Sequence, residues 1–163
     1  MSDFTIVEDT RERKPWSFSF FGADQVRRKV DTGDYTIEGY EGDITIDRKR
    51  NVDELYMNLF KEYSRFKREM ERMEGMEAYI LCEFPYSHIL TFPDTMPLVW
   101  CTTAKKKVPM KLRFTSEHII DRVETITKRH GVIFLYNDTR REAESQAFKI
   151  LKEFYEKNQS GGA

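Results

Sequence analysis

Apolar residues recur along this chain in two rhythms, and the change of rhythm marks out its elements. Phe4 to Asp9 (FTIVED) is a short apolar run ending on an acid, which predicts a buried strand. Arg11 to Ser17 holds Pro15 and predicts a loop. Thr32-Gly33-Asp34 reads as a turn into a short strand, Tyr35 to Ile37. Gly39 to Gly42 reads as a second turn, feeding the strand Asp43 to Arg48. Side chains alternate there, so Ile44 and Ile46 point one way and Thr45, Asp47 and Lys49 the other. The period then changes. Val52, Leu55, Leu59, Phe66, Met70 and Met73 fall at helical intervals, with Tyr63 between. Asn51 or Asp53 can cap this long helix, and Gly75 ends it.

Ala78 to Phe84 (AYILCEF) predicts a strongly apolar strand with Glu83 at its far end. Phe84 to Ser116 holds four prolines (Pro85, Pro93, Pro97 and Pro109), and predicts a loop-rich excursion with a short strand at Leu98 to Cys101. A helix from Ser116 to His130, a strand from Val132 to Tyr136 and a helix from Thr139 to Lys157 follow. Ala143, Ala147, Ile150, Leu151 and Phe154 take core spacing in the last. Asn158 to Ala163 reads as a flexible tail. The first three strands suit a meander, whereas the later alternation needs crossover helices and parallel pairing. The expected fold is α/β: one domain over 1–157, with a mixed central sheet flanked by helices on both faces.

Composition agrees with this and narrows the class. A chain of 163 residues, 39% hydrophobic and 34% charged, is expected to be globular with a real core. No apolar run approaches the ~20 residues of a membrane span. The N-terminus lacks a basic segment followed by an apolar one, so an intracellular protein without a signal peptide is the default expectation. Cys82 and Cys101, with His88, His118 and His130, show no zinc spacing. Both cysteines read as reduced thiols, Cys82 buried in its strand.

Net charge is −1, which does not announce a nucleic-acid partner. Its distribution says more. Basic residues gather at Arg11-Arg13-Lys14, Arg27-Arg28-Lys29, Arg48-Lys49-Arg50 and Lys105-Lys106-Lys107, the last with Lys111 and Arg113. Any one fits a solvated face; four beside carboxylates suggest a phosphate-binding surface.

The candidate chemistry sits at strand ends. Asp9 closes the first strand, Asp34 stands at the turn into the second, and Asp47 shares a face of the third with Lys49. Phosphodiester hydrolysis needs charge neutralised on the phosphate, an activated water and a stabilised leaving oxygen. Hard divalent cations supply all three and prefer carboxylate oxygens. A lysine beside them orients water and offsets charge. The hairpin can return Asp34 beside Asp47. Two carboxylates and a lysine then form a minimal phosphodiesterase site, and the bland alternative is a hairpin with exposed charges.

Four stretches carry a resemblance. "DTRERKPWSF" (Asp9 to Phe18), "TGDYTI" (Thr32 to Ile37), "IDRKRNVDEL" (Ile46 to Leu55) and "RFKREMERM" (Arg65 to Met73) together resemble the nuclease domain of XPF-type endonucleases. The short stand-alone versions of bacteria and phages are the more similar. "VIFLYNDTRREAESQAF" (Val132 to Phe148) continues the likeness more loosely. The resemblance implies a restriction-endonuclease-like core in a bacterial or phage-infected cytoplasm. It implies magnesium or manganese held by Asp34 and Asp47, assisted by Asp9, with Lys49 next to the attacking water and Glu12 a helper. Arg11 and Arg48 would support the site or contact phosphate, and Arg65 would reach back toward it. Asp53 would cap the helix and hold Arg48 or a neighbour. Asp47 replaces the signature's Glu and is one methylene shorter, so metal geometry can differ.

The implied substrate is branched, flapped or junction DNA in recombination or repair, cut to leave a 5′-phosphate and a 3′-hydroxyl. Nothing in the chain reads as the tandem helix-hairpin-helix module of larger members. Family-style homodimerisation through the last helices would use Phe148, Leu151 and Tyr155; ordinary core packing is the competing reading. Lys105, Lys106 and Lys107 read either as a DNA-backbone loop or as a solvated one. Arg65 and Glu69, four apart, serve the site or form a surface ion pair. Trp16 and Phe18 are expected to cover the core edge, and Trp100 to pack. The rival functions are a non-catalytic DNA-binding subunit and a sequence-specific restriction-type nuclease.

Overall fold

The computed structural model describes residues 3–93, 98–109 and 114–160. Six strands form one sheet: β1 (Thr5–Glu8), β2 (Asp24–Arg27), β3 (Tyr35–Ile37), β4 (Ile44–Lys49), β5 (Glu77–Cys82) and β8 (Ile133–Tyr136). Their order is β2-β1-β3-β4-β5-β8. The pairs β1–β3 and β3–β4 are antiparallel as the meander requires, and the edge strand β2 joins β1 in parallel. β4, β5 and β8 are parallel, joined by helical crossovers. The sheet is therefore mixed, as expected.

The helices divide between its faces. On one lie α1 (Val52–Tyr56), α2 (Tyr63–Met73), the short α3 (Ser87–Leu90) and α4 (Ser116–His130). Leu55, Leu59, Phe66, Met70, Ile119 and Ile126 pack there against Ala78, Ile80 and Cys82. On the other face α5 (Arg140–Ser160) sets Ala143, Ala147 and Leu151 over Ile44, Ile46 and Leu81. The two alanines let the helix backbone lie close to the sheet. Each buried Leu, Ile or Phe stabilises by roughly 1.5–3 kcal/mol. With a core on both sides, all six residues of β4 are buried, the polar ones included.

Several expectations need correction. The long helix is broken: a π-helical turn, Met57–Lys61, separates α1 from α2, and the Glu62 N–H donates to the Met57 carbonyl at 2.8 Å. α5 runs to Ser160, so Asn158 to Ser160 belong to a helix; Gly161 to Ala163 lie outside the described residues. β2 went unforeseen because it is an exposed edge strand with Val26 as its lone apolar residue. The proline-rich excursion folds back as a hairpin of β6 (Leu98–Cys101) and β7 (Lys106–Pro109). Trp100 there is 62% exposed rather than packed. Trp16 and Phe18 are fully buried, as is Cys82. Phe148, Leu151 and Tyr155 are used within the chain: Leu151 is core, Phe148 stacks on Phe21 and Tyr155 on Phe4. Among the described residues no helix is long and apolar enough to cross a membrane.

Candidate active site

A cleft of about 260 Å³ opens where β3 and β4 meet α1 and α2. The hairpin builds its floor. Asp34 N–H donates to the Ile46 carbonyl at 2.9 Å, and Asp9 N–H to the Asp34 carbonyl at 2.8 Å, which extends the ladder past β3. Asp34 Oδ2 then accepts the Arg48 N–H at 2.8 Å. Gly33 makes this turn possible. Its φ is +78°, and a Cβ would meet Thr45 Oγ1 at 2.1 Å. Thr45 cannot easily move, since its buried hydroxyl donates to the Thr32 carbonyl at 2.6 Å.

Alternation along β4 sends Asp47 and Lys49 to the α2 side. Lys49 Nζ lies 2.7 Å from Asp47 Oδ2 and 5.3 Å from the centre of the Phe66 ring. The ion pair is close but not aligned as a hydrogen bond, and the buried Asp47 Oδ2 has no hydrogen-bond partner. Burial would depress the Lys49 ammonium, but Asp47 outweighs it and raises its pKa. Asp34 is pushed well above the usual carboxylate range, first by burial and then by the facing charge of Asp47.

The π-helical turn re-phases the helix over this floor. Asn58, Glu62, Arg65, Glu69 and Arg72 line the cleft, while Phe66 and Met70 keep to the core. Glu69 is a site residue that sequence reasoning left undecided. Its carboxyl is raised by burial and by Asp47, and pulled back by Lys49, Arg72 and the Gly33 N–H. Arg65 and Glu69 make no ion pair with each other, so both face the cleft as separate charges. The i, i+4 spacing together with the hairpin was the only available signal.

Other expected site residues, Asp9, Glu12 and Arg48, line the cleft but are tied to partners in the fold. Asp9 accepts from Arg11 Nε at 2.6 Å and from the Val30 N–H at 3.0 Å; it ties the loop to β1. Asp9 lines the same cleft as Asp34 and Asp47, and among the described residues no group of three His, Cys, Asp or Glu side chains is placed to hold a metal ion. Arg48 faces away from Asp47. Its side chain, 1% exposed, donates to Glu83 at 2.7 Å, to Glu12 at 3.1 Å and to the Lys14 carbonyl at 2.8 Å, and lies 5.0 Å from the centre of the Trp16 ring. Glu12 also accepts from the Tyr35 hydroxyl at 3.2 Å. Glu12 and Arg48 are therefore a buried structural tie. Asp53 does not hold Arg48. Asn51 caps α1, accepting the Glu54 N–H at 2.8 Å, and Asp53 Oδ1 is orphaned. Arg27 and Arg28 are likewise spent on Glu8 and Glu38.

A six-stranded mixed sheet covered on both faces is a fold shared with solved XPF structures. XPF from the archaeon Aeropyrum pernix has it, with a TM-score of 0.65 at 14% identity over 90% of this chain and 64% of that one. The same protein in complex with DNA gives 0.63 at 16% identity over 95% and 66%. The chain thus spans about two thirds of the length of those structures, and the likeness is one of fold. No family model and no curated protein matches the sequence.

Proposed function

We propose that this chain is a divalent-metal-dependent endodeoxyribonuclease that hydrolyses phosphodiester bonds in branched, flapped or junction DNA, in recombination or repair. The observation that carries the reading is the pairing of Asp34 and Asp47 on one buried floor with Lys49 against them. The buried Asp47 and the half-buried Asp34 repel, and Asp47 Oδ2 is met only by the ion pair with Lys49, with no hydrogen bond. A hard cation answers both conditions, so the donor set fits magnesium or manganese. Asp34 and Asp47 would hold it, with the Glu69 carboxyl of α2 on the wall of the same cleft. When bound, such an ion neutralises phosphate charge and activates water.

The chain's own groups do the rest. Lys49, fixed by Asp47 and roofed by Phe66, is a hydrogen-bond donor set to orient an attacking water or to offset charge on the phosphate. Arg11, Arg65 and Arg72 border the cleft and suit the flanking phosphates. The solved DNA complex of the A. pernix protein supports DNA as the substrate class. Branch preference rests on the sequence resemblance.

The test is cleavage of labelled flap, fork, Holliday-junction, single-stranded and duplex DNA with magnesium or manganese. Wild type is expected to cut branched substrates and Asp47→Asn to cut at least about 100-fold more slowly. Binding without cutting in any divalent metal would make the chain a non-catalytic subunit. Cuts mapping to one sequence on linear duplex would make it a restriction-type enzyme.

A further inference from the structure

The β6–β7 hairpin has two unlike faces. Leu98 and Trp100 lie on one, directly opposite Pro109 and Lys107. Val99, Cys101, Val108 and Lys106 lie on the other, where Val99, Cys101 and Val108 are half-buried. The Leu98–Trp100 face is the open one. Leu98 is 56% and Trp100 62% exposed, an unusual placement for the largest apolar side chain. Lys105, at φ +54°, closes the turn, and its N–H donates to the Cys101 carbonyl at 2.8 Å. Lys105, Lys106 and Lys107 are all exposed, and none makes an ion pair with a described residue. The contrast with Arg27, Arg28 and Arg48 is plain: those cations are neutralised, these have no carboxylate partner among the described residues. From Thr95 to Ser116 the sequence has five Lys and Arg and no Asp or Glu, in a chain of net charge −1.

An exposed indole with Lys107 across from it, Lys105 at the turn and Lys106 on the far face of the same hairpin suits one occupant by its chemistry. A nucleobase offers a flat face for the indole, and its flanking phosphates offer charge for the lysines. Only an unpaired base has that face open; in duplex it is stacked on its neighbours. We propose that the β6–β7 hairpin binds a single-stranded stretch of the DNA substrate, with Trp100 stacked on a base and Lys105 to Lys107 on the phosphates beside it. The proposal rests on reading DNA as the substrate and adds the part of it the hairpin reads.

Intrinsic fluorescence isolates the contact. The protein has two tryptophans, and Trp16 is fully buried, so quenching by a ligand at the surface reports Trp100. In chelator-containing buffer, a thymidine oligonucleotide is expected to quench wild type and duplex DNA to quench it less. Trp100→Leu should bind the oligonucleotide about 5- to 150-fold more weakly by anisotropy, with Trp100→Phe largely restoring affinity. Replacing Lys105, Lys106 and Lys107 by Ala should lower the salt slope by about 2. Unchanged affinity in Trp100→Leu overturns the proposal and leaves the nuclease reading intact. Quenching by the oligonucleotide in a protein that cuts no flap, fork, junction, single-stranded or duplex substrate in any metal sinks the nuclease reading and leaves the hairpin assignment standing.

Discussion

Arg48 gives the sharpest test of how this site is supported. It stands between Asp47 and Lys49 in sequence, yet its guanidinium serves the opposite face of the sheet, where it joins Glu83, Glu12 and the Lys14 carbonyl under the Trp16 ring. Arg48→Met keeps the volume and removes the charge. Two carboxylates whose side chains are 9% and 12% exposed would then lose their cation. Each keeps one neutral donor, Trp16 Nε1 for Glu83 and the Tyr35 hydroxyl for Glu12. Breaking a buried pair from one side costs about 3–5 kcal/mol, and the retained donors argue for the lower end. At this chain length about 3 kcal/mol lowers Tm by roughly 6–12 °C. Adding Glu83→Gln removes one stranded charge, so the double variant should recover about 1–3 kcal/mol in urea unfolding. Cleavage by the folded variant, assayed well below its Tm, should stay within about tenfold of wild type. An unchanged Tm with cleavage lost more than about 100-fold would refute the reasoning and place Arg48 on the substrate.

Asp34→Asn should abolish cleavage while raising metal-free stability by about 1–3 kcal/mol, because it removes a buried like-charge contact; a destabilised variant would contradict the repulsion. The sign with pH follows: a carboxyl raised in the folded state adds stability as pH falls through that raised value toward the ordinary carboxylate range, and loses it as pH rises. Metal-free urea midpoints should rise on acidification across that window in wild type and rise less in Asp34→Asn, and equal slopes would count against it. Gly33→Ala sets a Cβ 2.1 Å from Thr45 Oγ1 at a φ of +78°, so it should cost about 3 kcal/mol or more and displace Asp34; an unaltered urea midpoint would contradict that. Magnesium or manganese should stabilise wild type in thermal melts by an amount that grows with concentration, and Glu69→Gln should weaken the titrated affinity about 10- to 100-fold if its carboxylate helps hold the ion. Equal titrations would remove Glu69 from the ligand set.

What could be read beforehand divides along physical lines. Apolar periodicity reports burial, and burial decides β1, β3, β4, β5, β8, α4 and α5, all of which stand within a few residues of their expected places. β2 carries no such signal because an edge strand is held by backbone hydrogen bonds to β1 and buries little. The π-helical turn was equally silent. Its one extra residue leaves Leu59 and Phe66 both at plausible helical spacing, so the pattern permits an unbroken helix as readily as a broken one.

The site followed the same division, one level up. Alternation along β4 foretold that Asp47 and Lys49 share a face, and the hairpin length foretold Asp34 beside them. Which side of the sheet a charge then served depended on partners far away in sequence. Asp9 and Asp34 both follow or precede a strand in a polar turn, yet Arg11 and the Val30 N–H claim Asp9, whereas Asp34 meets a second carboxylate. Arg48 and Lys49 are adjacent cations, and one bond of strand separates a structural tie from a cleft residue. A buried charge is tolerated only where something answers it. For Arg48 the answer is on the page, in Glu83 and Glu12. Asp47 has Lys49 for only part of its charge, and its neighbour Asp34 worsens the balance. In the proposed nuclease a hard cation from solution would supply the answer for this acid pair.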